Sequence, residues 1–247
     1  MSVDTYKKEV SMMKLDNLTE MLEGVEEVVF PIPDKELLAR FEKLYTGAVN
    51  DVLRERCLIN QALPGHIIPL REYRTVAGFA FTVKSAPHVK VRGEMEYRTE
   101  MLDEMGEDSF VIWDTSNDSQ ATLWGGVMTA TAKGKKVKAA CIDGGIRDTH
   151  QILEADFPVF YKYRISNGSL GRCLITSYQS TLLIGTVTIK PGDLILGDID
   201  GVLVVPRNIA YEVLLRSEEI IENENKIFSW VHAGETIHEI SAKGGYF

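Results

Sequence analysis

Val137-Lys138-Ala139-Ala140-Cys141-Ile142-Asp143 is a short apolar run that ends in a carboxylate, and Gly144-Gly145-Ile146-Arg147-Asp148 comes directly after it. An apolar run without clean alternation is the pattern of a strand buried on both faces, as in a parallel sheet. The double glycine predicts a loop over Asp143–Asp148, and the residues from 149 to 155 predict a helix. Ser109-Phe110-Val111-Ile112-Trp113-Asp114 repeats the buried-strand pattern upstream. Between the two runs, Gly125-Gly126 opens an Ala/Thr-rich helix from Val127 to Ala132. Strands at Thr75–Val83 and Pro158–Tyr163 and a helix at Tyr97–Met105 extend the alternation. Beyond residue 165, Leu174–Ile189 and Leu194–Val205 are strand-rich and punctuated by Asn167-Gly168 and Pro191-Gly192, which suits hairpins better than βα units. An amphipathic helix, Asn208–Trp230, closes the order. Together these give a mixed α/β sandwich.

Residues 34–57 follow a helical period through Leu37, Leu38, Phe41, Leu44, Val49, Val52 and Leu53, with Thr46 as a possible cap of a second helix. Residues 1–35, mixed and acidic and ending at Pro31 and Pro33, read as an N-terminal extension. No linker or repeat interrupts the rest of the chain, so 36–247 is assigned as one catalytic domain.

The chain has 247 residues, 45% hydrophobic and 26% charged, ordinary values for a globular domain with a substantial core. A net charge of −9 argues against nucleic-acid binding, which needs a basic surface. Lys133, Lys135, Lys136 and Lys138 cluster locally and read as a solvated helix end. Cys57, Cys141 and Cys173 lack metal or redox spacing and read as small apolar thiols in a reducing compartment. With no apolar leader and no apolar stretch of membrane-spanning length, the expectation is a cytoplasmic protein with no membrane partner.

Two segments carry chemistry. At Trp124-Gly125-Gly126-Val127-Met128, paired glycines at a helix start let backbone amides approach an anion, although a tightly packed turn is the better account of such a pair taken by itself. At Arg147-Asp148, a planar cationic fork stands beside a hard oxygen ligand, a combination suited to a carboxylate or developing enolate and to Mg²⁺ or Mn²⁺. A surface ion pair at a helix cap is the plainer account. Asp193, Asp198 and Asp200 read as turn residues. His66, His88, His150, His232 and His238 show no metal spacing, and His150 is placed on a solvent-facing helix. The segment from His88 to Arg98, with Lys90, Arg92, Glu94 and Glu96, reads as a solvated loop that lies near any cleft.

Leu123-Trp124-Gly125-Gly126, with Arg147-Asp148 twenty residues further on, resembles the signature of the RraA-like family. That family includes the 4-hydroxy-4-methyl-2-oxoglutarate/4-carboxy-4-hydroxy-2-oxoadipate aldolases and the regulator of ribonuclease activity A. Phe157-Pro158-Val159-Phe160, Lys190-Pro191-Gly192-Asp193-Leu194 and Asp200-Gly201-Val202-Leu203-Val204-Val205-Pro206 agree with it, and the match runs from about residue 37 to 240. The resemblance implies an α/β/α sandwich related to swivelling phosphohistidine domains. It also implies homotrimers or hexamers with active sites between subunits. Asp148 would hold the divalent metal, Arg147 would bind the keto or enolate oxygen, and the amides of Gly125, Gly126, Val127 and Met128 would hold the carboxylate of a small 2-oxo acid.

The implied activity is a metal-dependent carbon–carbon lyase: retro-aldol cleavage of a 4-hydroxy-2-oxo acid, or decarboxylation of oxaloacetate, through a pyruvate enolate. Aldolases of the family carry aspartate where Gly126 stands, and members with glycine there often carry an acid at the position of Gln151. Glu154, Asp118 or a partner-subunit acid would then supply the charge. Two other readings fit the resemblance: a non-catalytic regulator of a protein partner, and a dehydratase or isomerase of sugar acids on the same scaffold.

Overall fold

The computed structural model describes residues 15–24, 27–72 and 74–244. Helices α1 (Asp16–Glu23), α2 (Asp34–Phe41) and α3 (Thr46–Glu55) precede β1 (Ile68–Pro69) and the long β2 (Val76–Pro87). Then come α4 (Glu94–Glu104), β3 (Ser109–Asp114), β4 (Thr122–Trp124), α5 (Gly126–Gly134), β5 (Ala139–Ile146), α6 (Thr149–Glu154) and β6 (Val159–Arg164). Strands β7 (Cys173–Tyr178), β8 (Leu182–Ile184), β9 (Val187–Ile189), β10 (Leu194–Asp198) and β11 (Gly201–Val205) come next, and α7 (Ala210–His232) and α8 (Ile237–Ala242) complete the order.

Nine strands form one mixed sheet in the order β1-β6-β5-β3-β2-β10-β11, with β4 added to β5 and β7 to β2. Strands β2, β3, β5 and β6 run parallel, while β10 and β11 return as an antiparallel hairpin. The parallel strands lack a polar face because both of their sides are covered. In β3, Val111 and Trp113 face a core shared with α4, α5 and α6, whereas Phe110 and Ile112 face a second core closed by the β8–β9 hairpin and by Leu63 and Ile67. A third core packs α2, α3 and α7 on β10 and β11 through Leu37, Phe41, Val49, Val52, Val213 and Leu214. The helical period read over 34–57 therefore names that core correctly, although the segment is two helices.

Several expectations change. Asp143–Ile146 is the end of β5, not a loop: Thr122 and Trp124 of β4 pair with Gly145 and Ile146 on one side, and β6 pairs on the other. A Cβ on Gly145 would lie 2.4 Å from the Ala121 carbonyl oxygen and 2.7 Å from the Tyr163 ring, so the glycine serves close strand approach. Thr46 does not cap a helix with its own side chain; its amide and hydroxyl donate to the Asp198 carboxylate at 2.7 and 2.9 Å. Cys57 is exposed, while Cys141 and Cys173 are buried.

The lysine cluster is engaged: Lys133 and Lys135 donate to backbone carbonyls, and Lys136 and Lys138 pair with Glu107 and Glu42. Residues 1–14 of the N-terminal extension lie outside the described residues. Within the rest of it, Phe30 is buried and stacks on Phe79 at 6.3 Å, with the Arg207 guanidinium over both rings. No helix among the described residues is long and apolar enough to cross a membrane.

Candidate active site

Short β4 and the end of β5 bring the two glycine-rich segments together. Trp124 is wholly buried, stacks on Phe157 at 6.0 Å and donates its indole N–H to Thr129 at 2.9 Å, which fixes where α5 starts. Its carbonyl accepts the Arg147 amide at 3.1 Å, so Arg147 and Asp148 leave β5 directly against the Gly125-Gly126 turn. Asp148 has a left-handed backbone, φ 54° and ψ 36°, which turns its carboxylate back onto the start of α5. One carboxylate oxygen accepts the Gly126 amide at 3.2 Å, and a Cβ on Gly125 would stand 2.8 Å from that same oxygen.

Arg147 Nε lies 3.7 Å from the same Asp148 oxygen, and its guanidinium donates to the Ser166 carbonyl at 3.4 Å. Both side chains stay partly open to solvent, so substrate can reach them. Arg147 lines an open groove of about 460 Å³ together with Ile146, Thr149, Arg164, Ile165 and Ser166, and Asp148 lies between Arg147 and the Gly125-Gly126 turn. Arg164 adds a second guanidinium, held over the Tyr161 ring and bonded to its hydroxyl. Two arginines and a helix start make the groove electropositive, which suits an anionic substrate.

The amides of Gly126, Val127 and Met128 precede the first intrahelical bond of α5, from the Thr129 amide to the Gly125 carbonyl, and have no partner within the helix. Asp148 takes up the first. Val127 is exposed, and Met128 is buried with its sulfur 3.8 Å from Arg98. Gln151 occupies the space where a residue 126 side chain would project: a Cβ on Gly126 would meet its Oε1 at 1.6 Å. The two positions substitute for one another in space. Asp118 is buried and committed to the amides of Gln120 and Ala121 and to the Tyr163 hydroxyl, and Glu154 is exposed on α6. His150 is exposed, as its helix position suggests.

Glu94 and Arg98 lie in α4 rather than in a solvated loop. They form a buried ion pair at 2.8 Å, with Ser169 and the Ile175 amide as further partners and Trp113 under the guanidinium. Their spacing of four on one helix was the available signal. Arg164 had none, because only the fold carries the end of β6 beside β5.

A divalent cation fits this donor set sparingly. Mg²⁺ and Mn²⁺ take hard oxygens, keep several waters and often use only one or two carboxylates. Asp148 supplies one carboxylate, and Gln151 Oε1 lies against the same turn. Among the described residues no three His, Cys, Asp or Glu side chains converge elsewhere.

The protein is a mixed α/β fold in which the Gly125-Gly126 turn meets Arg147-Asp148 at the end of a parallel strand. The chain belongs to the RraA-like family, whose model, described as Aldolase/RraA, matches residues 46–204. It is 28% identical over 184 residues to a putative 4-hydroxy-4-methyl-2-oxoglutarate aldolase of Halalkalibacterium halodurans, covering 74% of this chain and 83% of that protein. Protein DlpA of Legionella pneumophila is 27% identical over 203 residues, 82% of this chain, but the chain spans only 33% of that protein's length.

Among solved structures, one described as a novel cellulase from microbes of the gut ecosystem is 77% identical, with a TM-score of 0.87 over 90% of this chain and 100% of that one. An uncharacterized protein of Pseudomonas syringae pv. tomato is 29% identical, with a TM-score of 0.78 over 89% of this chain and 98% of that one.

Proposed function

We propose that the chain is a divalent-metal-dependent lyase that cleaves a 4-hydroxy-2-oxo acid, or decarboxylates oxaloacetate, to release pyruvate. The observation that supports this most is the approach of Arg147 and of the Gly126 amide to one oxygen of the partly exposed Asp148 carboxylate, beside a solvent-open groove that Arg147 lines. Family membership and the relative named as a putative aldolase point the same way.

In this reading the substrate carboxylate sits on the Val127 and Met128 amides, helped by the positive end of α5. Arg147 faces the 2-oxo oxygen, and its fixed charge is worth most when negative charge collects there as the carbon–carbon bond breaks. The electron pair of that bond passes into the 2-oxo system, the departing fragment leaves as CO₂ or, with its hydroxyl proton passed to water, as a carbonyl compound, and a proton from water restores the methyl group of pyruvate. A divalent cation held by Asp148 would supply Lewis-acid polarisation of the 2-oxo group. Closure of the site by a second subunit, in a homotrimer or hexamer, belongs to the same proposal.

The test is magnesium-dependent pyruvate release from oxaloacetate and from 4-hydroxy-2-oxo acids. Chelator and Asp148→Ala are expected to abolish it. A chain that stays inactive on a panel of such acids with both Mg²⁺ and Mn²⁺ is not this enzyme.

A further inference from the structure

The carboxyl ends of the parallel strands hold a second group of charges that the proposed lyase chemistry does not use. Lys84 on β2 is the register partner of Asp114 on β3, and Asp114 is the register partner of Asp143 on β5. Lys162 on β6 completes the row through a 3.3 Å ion pair with Asp143. The row thus reads plus, minus, minus, plus across four adjacent strands, on the face opposite α4, α5 and α6. Lys84 binds Asp114 at 3.0 Å, and His66 stands 3.2 Å from Asp143. The two aspartate side chains are only 8% and 10% exposed.

Like charges directly opposite one another on paired strands are destabilising, and burying two carboxylates adds a desolvation cost. A row chosen for stability alone would not set two aspartates side by side. Breaches of local rules of this kind concentrate at functional sites. Three of the four, Lys84, Asp114 and Asp143, line a cavity of about 460 Å³ that shares no lining residue with the Arg147 groove, and Lys162 stands beside it on Asp143. Its far wall is apolar: Leu183, 62% exposed on β8, with Pro64 beside it. Cavities of this size at the carboxyl ends of parallel strands are common ligand sites.

The chemistry of the lining selects the ligand. A bare metal ion is opposed by the two ammonium groups, and no three metal-binding side chains converge among the described residues. A simple anion is opposed by the two aspartates. Hydroxyl groups satisfy both signs, donating to Asp114 and Asp143 and accepting from Lys84. An apolar ring face would rest on Leu183. We propose that this cavity is a second small-molecule site, for a polyhydroxylated ligand of the monosaccharide class.

Isothermal titration of the full chain with D-glucose, D-xylose and myo-inositol tests this, with inorganic phosphate as a charge control. Saturable binding of at least one polyol is expected, weakened at least about tenfold by Asp143→Asn. Leu183→Asp, at an exposed position that leaves the buried pairs intact, is expected to weaken it likewise, whereas Arg147→Ala should leave it unchanged. Absence of saturable polyol binding, competition by phosphate, or loss of binding in Arg147→Ala with retention in Leu183→Asp would each overturn the proposal. Pyruvate release is measured separately, so either site can fail without the other.

Discussion

Asp148 shows how one backbone angle sets up a site. An L-residue in the left-handed region is costly except for short polar side chains, and here the turn points the carboxylate at the Gly126 amide while leaving it partly open to solvent. The neighbouring exchange between positions 126 and 151 is equally local. Gln151 fills the volume above Gly126 but brings no charge, so the double substitution Gly126→Asp with Gln151→Ala would move a carboxylate into the same space. Tighter Mn²⁺ binding, by about tenfold, is the expected outcome in titration calorimetry. Unchanged affinity would mean that this space does not adjoin the metal. Removing Arg147 as Arg147→Met is expected to lower kcat by about 10²-fold or more with a smaller change in KM, because its charge matters most at the transition state.

Among the elements, the end of β5 and the start of α4 carry the clearest energetic consequences. Gly145→Ala forces a methyl group into the Ala121 carbonyl, and backbone cannot yield as a side chain can. A loss of about 2 kcal/mol or more is expected from urea unfolding. Arg98→Leu would leave Glu94 buried with the Ile175 amide as its remaining partner and without its cation, and a loss of about 3 kcal/mol is expected.

The turn into β10 predicts a pH effect. Burial pushes the Asp193 carboxyl up to about 6, against smaller lowering by the amides of Lys190 and Arg207 that it accepts. A raised folded value means that the folded state holds the proton more tightly than the unfolded one. This contribution is therefore full below about pH 4 and lost as pH rises through 6. Wild type is expected to lose stability relative to Asp193→Asn across that interval, by on the order of 2 kcal/mol. Parallel pH profiles for the two proteins would show that Asp193 titrates normally.

At the scale of the whole molecule, α7 joins the helical layer to the sheet through Val213 and Leu214, and ion pairs of Arg40 with Glu218 and of Arg216 with Glu55 bind it to α2 and α3. Farther along, Phe228, Val231 and Ile237 lie exposed, as does Val127 at the mouth of the groove. The proposed assembly gives such surface something to bury. Sedimentation is expected to find about three or six times the chain mass of 27.7 kDa. A monomer at micromolar concentration would remove the inter-subunit part of the proposal.

Short β1 and β4 were not read as strands. The central strands β2, β3, β5 and β6 were legible one by one, because burial on both faces leaves an apolar run such as Phe110–Trp113 that needs no tertiary knowledge to recognise. So were the α2–α3 core positions, through their period, and the pairing of Gly125-Gly126 with Arg147-Asp148, through resemblance. What the letters could not convey was which segments meet. Gly144-Gly145 reads as a loop because glycine's local preference is for turns, yet the close approach of β4 and Tyr163 makes it strand. Glu94 and Arg98 read as solvated because charge usually is, yet each neutralises the other inside the fold. Sequence alone thus determined most of the elements, since periodicity and burial are written along the chain. Tertiary structure alone decided the company each side chain keeps, since strand register and through-space electrostatics exist only once distant residues are packed together.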